Sequence, residues 1–407
     1  MQIGFLGTAV RRYKWGLLAR TYIELYNYPR DHCRLHHGFH RILRRMSLGS
    51  ERRRTHVQGV ELDQRKFNIL FLTFGGIGEA LIEANYIFHF RKRFSGDNIH
   101  IDVADVHEPS IRESIFGGLR SEGIRIFGIE HEPLFEGYDA IVRIVRYPVN
   151  LRSDAEKMAS TAPELKDISG IWDEFLASHE AMVEAHPKMD CIGISECIAK
   201  GQKRFQQPDL EGLLGIEDLD CPIPQPNTGI LGKYGLMDYK YITLNRDTGF
   251  NSRISTKLWP EESYNELTAL IREHYPDVRI VAIGAPPTHG DILSGMDVDL
   301  RGKTTFEEML ELVQKSKLHI SGEGLSVHIR HILSRKPSIV IFGSTSSEFY
   351  GYDENINIAH PCSNGPCEWT NEDWSVKCCI SEDVPPCLSS INVPEVFEHV
   401  RKTLEHP

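Results

Sequence analysis

The chain lacks the features that would assign it to a membrane, secreted or nucleic-acid-binding class. No apolar run approaches the roughly 20 residues that span a bilayer. The N-terminus has no continuous apolar stretch followed by a small-residue cleavage site, so we do not expect secretion. The net charge of −11 over 407 residues disfavours non-specific binding of nucleic acid. We therefore expect a cytoplasmic protein, with a peripheral position at the inner membrane as the alternative.

Positive charge is scarce overall but is concentrated at one end. Residues 1–66 carry a net charge of +9, whereas the remaining 341 residues carry −20. A basic arm rich in arginine and aromatic residues is suited to docking on an anionic lipid surface or an acidic partner. The alternative interpretation is a solvated helical extension.

Cysteine is also uncommon: the chain has nine, and no C-x2-C pair. Five of them lie within 26 residues, and we take four of these as candidate metal ligands, namely Cys362, Cys367, Cys378 and Cys387, with Cys379 as the alternative to Cys378. Four thiolates in a loop-rich segment suit zinc or a mononuclear iron. Disulfides are the alternative, although a cytoplasmic location disfavours them.

Short apolar runs alternate with amphipathic stretches, which is typical of a parallel α/β sheet. We predict a basic helical extension at 1–66, a Rossmann-like domain at 67–230 and a second Rossmann-like domain at 231–407. A proline-rich connector near residues 221–229 suggests the boundary. The segment from about 148 to 221 shows a mainly helical and polar pattern, without clear strands. The predicted strands are 67–74, 99–106, 124–129, 140–145, 240–245, 278–283, 318–322 and 338–343.

The first glycine turn, Gly75-Gly76-Ile77-Gly78, follows a predicted strand and precedes a helix. It lacks the full G-x-G-x-x-G pattern, so it is weak support for a dinucleotide site. Glu79 comes next and has two interpretations: a general base at the mouth of a cleft, or an acid that interacts with the helix dipole.

A second strand–turn–helix unit contains Gly322 and Gly324. The N–H groups at the start of this helix can bind an anion, so we predict a diphosphate near the amides of Gly324, Leu325 and Ser326. The carboxylate of Glu323 could accept hydrogen bonds from ribose hydroxyls. Two histidines follow, His328 and His331, and each could be a core histidine bonded to a neighbour, which is the more common role of a histidine in a helix.

The loop after the strand at 240–245 supplies two further candidates. Thr248 and Lys257 could bind phosphate, the lysine as a point charge. An ordinary polar loop is the alternative.

Four segments from the second half of the chain resemble motifs of one family: Leu300–Glu308, Glu323–His328, Ile341–Thr345 and Tyr350–Ile358. The chain resembles glycosyltransferase family 9, which contains the ADP-heptose:lipopolysaccharide heptosyltransferases. The resemblance covers about residues 67–405 and implies a GT-B fold, in which two Rossmann-like domains face a central cleft. The cysteine cluster resembles that of a subgroup with autotransporter heptosyltransferases, whose cysteines hold iron.

The resemblance implies a role for each candidate. Glu79 occupies the position of the base, which is usually Asp, and Lys257, Thr248 and the amides of Gly324, Leu325 and Ser326 match donor-diphosphate contacts. His328 is displaced by one position from the family histidine. Gly302 and Thr304 lie in the loop where we expect the nucleotide base to be distinguished.

The implied reaction is inverting transfer of heptose from ADP-heptose to a surface glycan, or to a protein. No divalent metal is expected at the reaction centre, and the cysteine-bound iron or zinc would be structural. A homo-oligomer is a further expectation. A nucleotide-sugar epimerase with the same fold and a non-catalytic sugar-nucleotide-binding scaffold are the alternatives.

Overall fold

The computed structural model describes residues 62–129, 137–144, 148–174, 194–246, 255–287, 293–368, 370, 374 and 377–405. Within these residues the chain forms two compact units. The first unit contains residues 62–75, 83–174 and 208–216, and the second contains 76–82, 194–207 and 217–405. Residues 1–61 of the predicted basic extension lie outside the described residues. No described helix is long and apolar enough to cross a membrane.

The first unit is built on a five-stranded sheet with the order β3-β2-β1-β4-β5. Strands β1 to β4 are parallel, and β5 runs antiparallel to β4. The strands are β1 Phe67–Thr73, β2 Ile99–Asp105, β3 Arg125–Gly128, β4 Ala140–Ile144 and β5 Pro148–Ser153. The helices are α1 Ile77–Arg93, of which residues 77–82 belong to the second unit, α2 Pro109–Phe116 and α3 Ala155–Thr161, with 3-10 helices at Gly117–Glu122 and Pro163–Leu165. Residues 166–174 are also helical.

Strand β5 contradicts the predicted absence of strands after residue 148. It begins with Pro148 and pairs with only one neighbour, β4, in an irregular antiparallel register. Proline is tolerated at the first residue of an edge strand, where its missing N–H removes no ladder bond. An edge strand with a polar sequence lacks the buried apolar pattern by which a strand is recognised in sequence.

The second unit is built on a six-stranded, all-parallel sheet with the order β11-β10-β9-β6-β7-β8. Its strands are β6 Lys240–Asn245, β7 Val278–Ala282, β8 Val298–Asp299, β9 Leu318–Gly322, β10 Ser338–Phe342 and β11 Ile356–Ala359. Its helices are α4 Ile194–Ala199, α5 Ile230–Lys233, α6 Glu261–His274, α7 Phe306–Lys315, α8 Leu325–Ser334, α9 Ser347–Tyr350, α10 Pro386–Ser389 and α11 Val393–Glu405, with 3-10 helices at Arg204–Asp209 and Ser255–Lys257.

Each sheet has the buried apolar strands that a parallel sheet requires. Every residue of β1, β4, β9 and β10 is buried, because helices cover both faces of such sheets. The predicted α/β class with two parallel sheets is therefore confirmed. The predicted domain limits are not tested by this division and stay a prediction.

Candidate functional site

The start of helix α8 is the centre of the candidate site. Strand β9 ends at Gly322, and Gly324 is the N-cap of α8 in extended backbone geometry. A Cβ atom at Gly322 would lie 3.3 Å from the carbonyl oxygen of Lys257, so the two chain segments approach closely here. The first N–H groups of a helix have no intrahelical acceptor and face its N-terminal end. This geometry is the anion-binding arrangement that the glycines predict.

Lys257 and Glu323 form a close ion pair at this turn. The Nζ–Oε2 distance is 2.5 Å, and the two side chains are 15% and 9% exposed. Burial by itself would raise the pKa of Glu323, but the Lys257 ammonium holds that pKa below its ordinary value. The ammonium also lies 5.8 Å from the ring centroid of Tyr350 and 5.5 Å from that of Trp374. The Glu323 carboxylate thus engages the predicted phosphate-binding lysine.

Thr248 lies outside the described residues, whereas the loop before α7 is well defined. Gly302 has a φ of +67°, and a Cβ atom there would lie 2.5 Å from Pro286, so only glycine fits this turn without displacement. The helix cap is Thr305, which forms a capping box with Glu308. Thr305 takes the extended N-cap conformation, so its side chain and not that of the adjacent Thr304 forms the box.

The side chain of Ser326 is used within the fold. Its Oγ lies 2.9 Å from Nε2 of His319, whose Nδ1 lies 2.9 Å from Oγ1 of Thr243. Burial lowers the pKa of His319 to about 3, so the ring is neutral at pH 7. This buried chain connects β6 and β9 to the first turn of α8. Ser326 is thus fixed by the core, and only its backbone amide is a candidate diphosphate contact.

His328 and His331 are both buried and both have partners. Nδ1 of His328 lies 2.6 Å from the hydroxyl of Tyr352, and burial lowers its pKa to about 4. His331 stacks on the Tyr352 ring and places its two ring nitrogens 2.8 Å from Asp218 and 2.5 Å from Glu354. These contacts match the core interpretation of the two histidines, although His328 also lies beside the first glycine turn.

The structure brings Glu79 into the same unit as helix α8. A Cβ atom at Gly78 would lie 3.5 Å from Cδ2 of His328 and 3.5 Å from the Cα of Leu325, so the first glycine turn contacts the start of α8. The Glu79 carboxylate accepts a 2.8 Å hydrogen bond from the amide of Gly76 and lies 3.4 Å from Arg204. The turn that carries Glu79 thus contacts the start of α8, although the two lie about 240 residues apart in sequence.

Similarity to known proteins can now be compared with this geometry. The model of glycosyltransferase family 9 (heptosyltransferase) matches residues 206–372, a segment that includes Lys257 and the start of α8. The predicted resemblance to family 9 is confirmed. No curated protein matches the chain.

Solved structures show the same fold at low sequence identity. The iron-containing dodecameric glycosyltransferase TibC from enterotoxigenic E. coli H10407 is 13% identical over 84% of this chain and 78% of its own, with a TM-score of 0.55. TibC in complex with ADP-D-beta-D-heptose gives 13% identity, 86% and 81% coverage and a TM-score of 0.55. A family 9 glycosyl transferase from Veillonella parvula DSM 2008 is 13% identical over 86% of this chain and 100% of its own, with a TM-score of 0.51. The fold therefore matches the GT-B-like structures of family 9.

The cysteine cluster of the second unit begins within the segment that the family 9 model matches. All five thiols are free, and those of Cys367 and Cys387 are buried. Burial, together with the neighbouring thiols, raises the pKa of Cys367 to about 12 and that of Cys387 to about 11. Among the described residues, however, no group of three or more His, Cys, Asp or Glu side chains has an arrangement that could hold a metal ion. The donor type fits a metal, but a formed ligand set is not shown.

Sequence reasoning missed three side chains of the site. His319 and Tyr352 make buried contacts with Ser326, His328 and His331, and Arg204 contacts Glu79. Tyr352 lies in a segment already identified by resemblance, which was the available signal. Arg204 lies in a polar stretch that carries no motif, so only the fold reveals it.

Proposed function

We propose that this protein is an inverting glycosyltransferase that moves heptose from ADP-heptose to a hydroxyl of a surface glycan. The observation that carries the proposal is the contact between the turn of Glu79 and the start of α8, within a chain whose residues 206–372 match family 9. The donor is proposed by likeness to TibC, which binds ADP-D-beta-D-heptose. A protein acceptor is the second possibility, and both acceptors offer the same chemical group.

In this mechanism the acceptor hydroxyl attacks the anomeric carbon from the face opposite the diphosphate. A new C–O bond forms, the bond to the diphosphate oxygen breaks, and the electron pair leaves with the nucleoside diphosphate. The Glu79 carboxylate takes the acceptor proton. The Lys257 ammonium and the first amides of α8 stabilise the charge that develops on the diphosphate, so the proposal requires no divalent metal at the reaction centre.

Lys257 would have two anionic partners once the donor is bound. It pairs with Glu323 at 2.5 Å and would turn part of its positive field to the diphosphate when donor binds. Glu323 then keeps the ammonium in place rather than binding the ribose hydroxyls. This assignment explains why both charges are buried together at the helix start.

The test of the base is Glu79→Gln, which keeps the shape and removes the proton acceptor. We expect transfer to be lost while donor affinity, measured by calorimetry, is unchanged. Glu262→Gln is the matched control, because Glu262 is an exposed acid in the first turn of α6 and tests the helix-dipole role alone. Wild-type transfer by the Glu79 variant would show that Glu79 is not the base.

The donor is tested by thermal shift against ADP-, UDP- and GDP-sugars, because a ligand that binds only the folded state raises its stability in proportion to affinity. We expect ADP-heptose to give the largest rise. A donor-only incubation is the second arm: release of an epimerised sugar nucleotide would instead support an epimerase. Tight binding without turnover of any donor and acceptor pair would support a non-catalytic scaffold.

We further propose that Cys362, Cys367, Cys387 and one of Cys378 and Cys379 hold a structural iron or zinc ion. Five free thiols in one segment and the likeness to iron-containing TibC support this assignment. Bound metal would cross-link the segment and lower the thiol pKa values. Elemental analysis of protein purified without added metal should find one equivalent of iron or zinc, lost in Cys387→Ser. Metal-free protein would contradict the proposal.

The remaining expectations concern partners. TibC is dodecameric, and we propose that this chain also forms a homo-oligomer, which sedimentation would test. Docking of the basic arm at 1–66 on an anionic membrane, and the cytoplasmic location, stay predictions.

A further inference from the structure

Arg204 begins the 3-10 helix Arg204–Asp209 and lies in the second unit with Glu79 and helix α8. Only 5% of the residue is exposed, which is unusual for an arginine without a fully formed ion pair. Its placement is fixed by both neighbours in sequence. Nζ of Lys203 donates to the carbonyl oxygen of Gly351 at 3.1 Å, and the Phe205 ring stacks on Tyr352 with centroids 5.8 Å apart.

The two terminal nitrogens of Arg204 have different surroundings. Nη2 lies 3.4 Å from Oε1 of Glu79, whose other oxygen accepts from the amide of Gly76. Nη1 is buried and has no hydrogen-bond partner among the described residues. A buried N–H of a charged group that stays unpaired costs the full desolvation of that group, so native structures seldom retain one without a ligand, an ion or water to satisfy it.

The guanidinium lies near the start of α8. It pairs with Glu79, whose glycine turn contacts Leu325 and the His328 ring. Its charge adds to the effect of burial in lowering the pKa of His328. The proposed diphosphate contacts, Lys257 and the first amides of α8, are at this same helix start. A diphosphate oxygen bound at this helix start would therefore lie on the same side of Glu79 as the Arg204 guanidinium.

We propose that Arg204 binds the donor diphosphate through Nη1 while Nη2 keeps the Glu79 carboxylate oriented. The inference rests on the proposed function and adds a second cation to the diphosphate site. The planar guanidinium can donate to two acceptors at once in a fixed geometry, which the single ammonium of a lysine cannot do. Arg204 would thus connect the group that accepts the proton to the group that leaves.

The test uses Arg204→Gln and Arg204→Lys in the full chain. Calorimetry would measure the affinity for the nucleoside diphosphate, among ADP, UDP and GDP, that most stabilises the wild type, and for its monophosphate. We expect Arg204→Gln to lower the ratio of diphosphate to monophosphate affinity by about tenfold or more, since hydrogen bonds to charged groups are among the stronger ones. Arg204→Lys should recover part of this loss.

Arg335→Gln is the matched control. Arg335 is another cation whose charge acts on Tyr352, but it pairs with Asp218 instead of Glu79, so its loss should leave the ratio unchanged. A wild type that binds no nucleoside diphosphate would overturn the proposed function together with the role of Arg204. A wild type that binds, with an unchanged ratio in Arg204→Gln, would overturn only the role of Arg204. Equal loss of both affinities together with a lowered melting temperature would assign Arg204 a structural role and also overturn the proposal.

Discussion

The two units share a parallel α/β plan but bury different side chains around their sheets. In the first unit Phe71, Phe90 and Trp172 pack as an aromatic cluster, and Trp172 donates a 2.8 Å hydrogen bond to the Tyr86 hydroxyl. In the second unit the helix start is surrounded by polar and charged side chains with little solvent exposure, among them Lys257, Glu323, His319 and Arg204. Apolar burial stabilises a fold without directing chemistry, whereas buried charge is costly unless it is paired and hydrogen-bonded. The proposed donor contacts lie beside this polar cluster of the second unit.

The largest effect on stability and binding is expected when one charge of the Lys257–Glu323 pair is removed. Lys257→Ala leaves a buried carboxylate without its partner, so we expect a loss of about 3–5 kcal/mol of stability together with loss of diphosphate binding. Urea unfolding and calorimetry would measure the two effects. The matched double variant, Lys257→Met with Glu323→Gln, should recover stability but not binding. Recovered binding would contradict the role of Lys257.

The aromatic cluster supplies the reverse case. Trp172→Ala removes a fully buried side chain from the first unit and should cost about 3–5 kcal/mol. At a temperature where the variant is folded, its affinity for the nucleoside diphosphate should equal that of the wild type. Trp172→Phe is the milder control, which keeps most of the packing and loses the bond to Tyr86. A weakened diphosphate affinity in a folded variant would show that the aromatic cluster of the first unit also contributes to nucleotide binding.

A pH titration tests the stability of the first unit without a mutation. In the first unit Asp102 is fully buried and is bonded by His100, Arg125 and Tyr138. Burial opposes its ionisation, but these donors hold the pKa of Asp102 below its ordinary value of 3.8. The stabilisation is therefore present above about pH 4 and is lost as the pH falls through the folded-state pKa. The protection factors of the β1–β4 amides, corrected for the intrinsic exchange rate at each pH, should fall below about pH 4.

Asp102→Asn is the control for this titration. The amide cannot ionise, so the variant should be less stable at neutral pH and its exchange should depend less on acid. Identical acid dependence in the variant and the wild type would show that other carboxylates determine the effect.

The smallest expected effect concerns a helix cap. Thr305 caps α7 through a hydrogen bond to the amide of Glu308, and Thr305→Ala should cost about 0.5–2 kcal/mol. Thr304→Ala, one residue earlier, is the control and should be near neutral. A larger loss from Thr304 would contradict the cap position found here.

The strands and the site differ in how far the sequence predicts them. The buried strands β1, β9 and β10 are predictable because every residue on both of their faces is apolar or shielded, which leaves a continuous signal. Strand β5 escapes prediction because it is polar and lies at the edge of the sheet. The cap of α7 falls on Thr305 and not on the adjacent Thr304, because the backbone conformation decides between neighbouring candidates at a helix end.

The sequence alone predicts the α/β class, the two glycine turns, the family 9 resemblance and the candidate residues Glu79 and Lys257. These depend on local patterns, namely the alternation of apolar runs and short motifs. The tertiary structure is needed to show that Lys257 pairs with Glu323, that Ser326 contacts His319, and that Arg204 contacts Glu79. Each of these contacts joins residues that are distant in the chain or face each other only when the sheet is formed, so no pattern along the sequence encodes them directly.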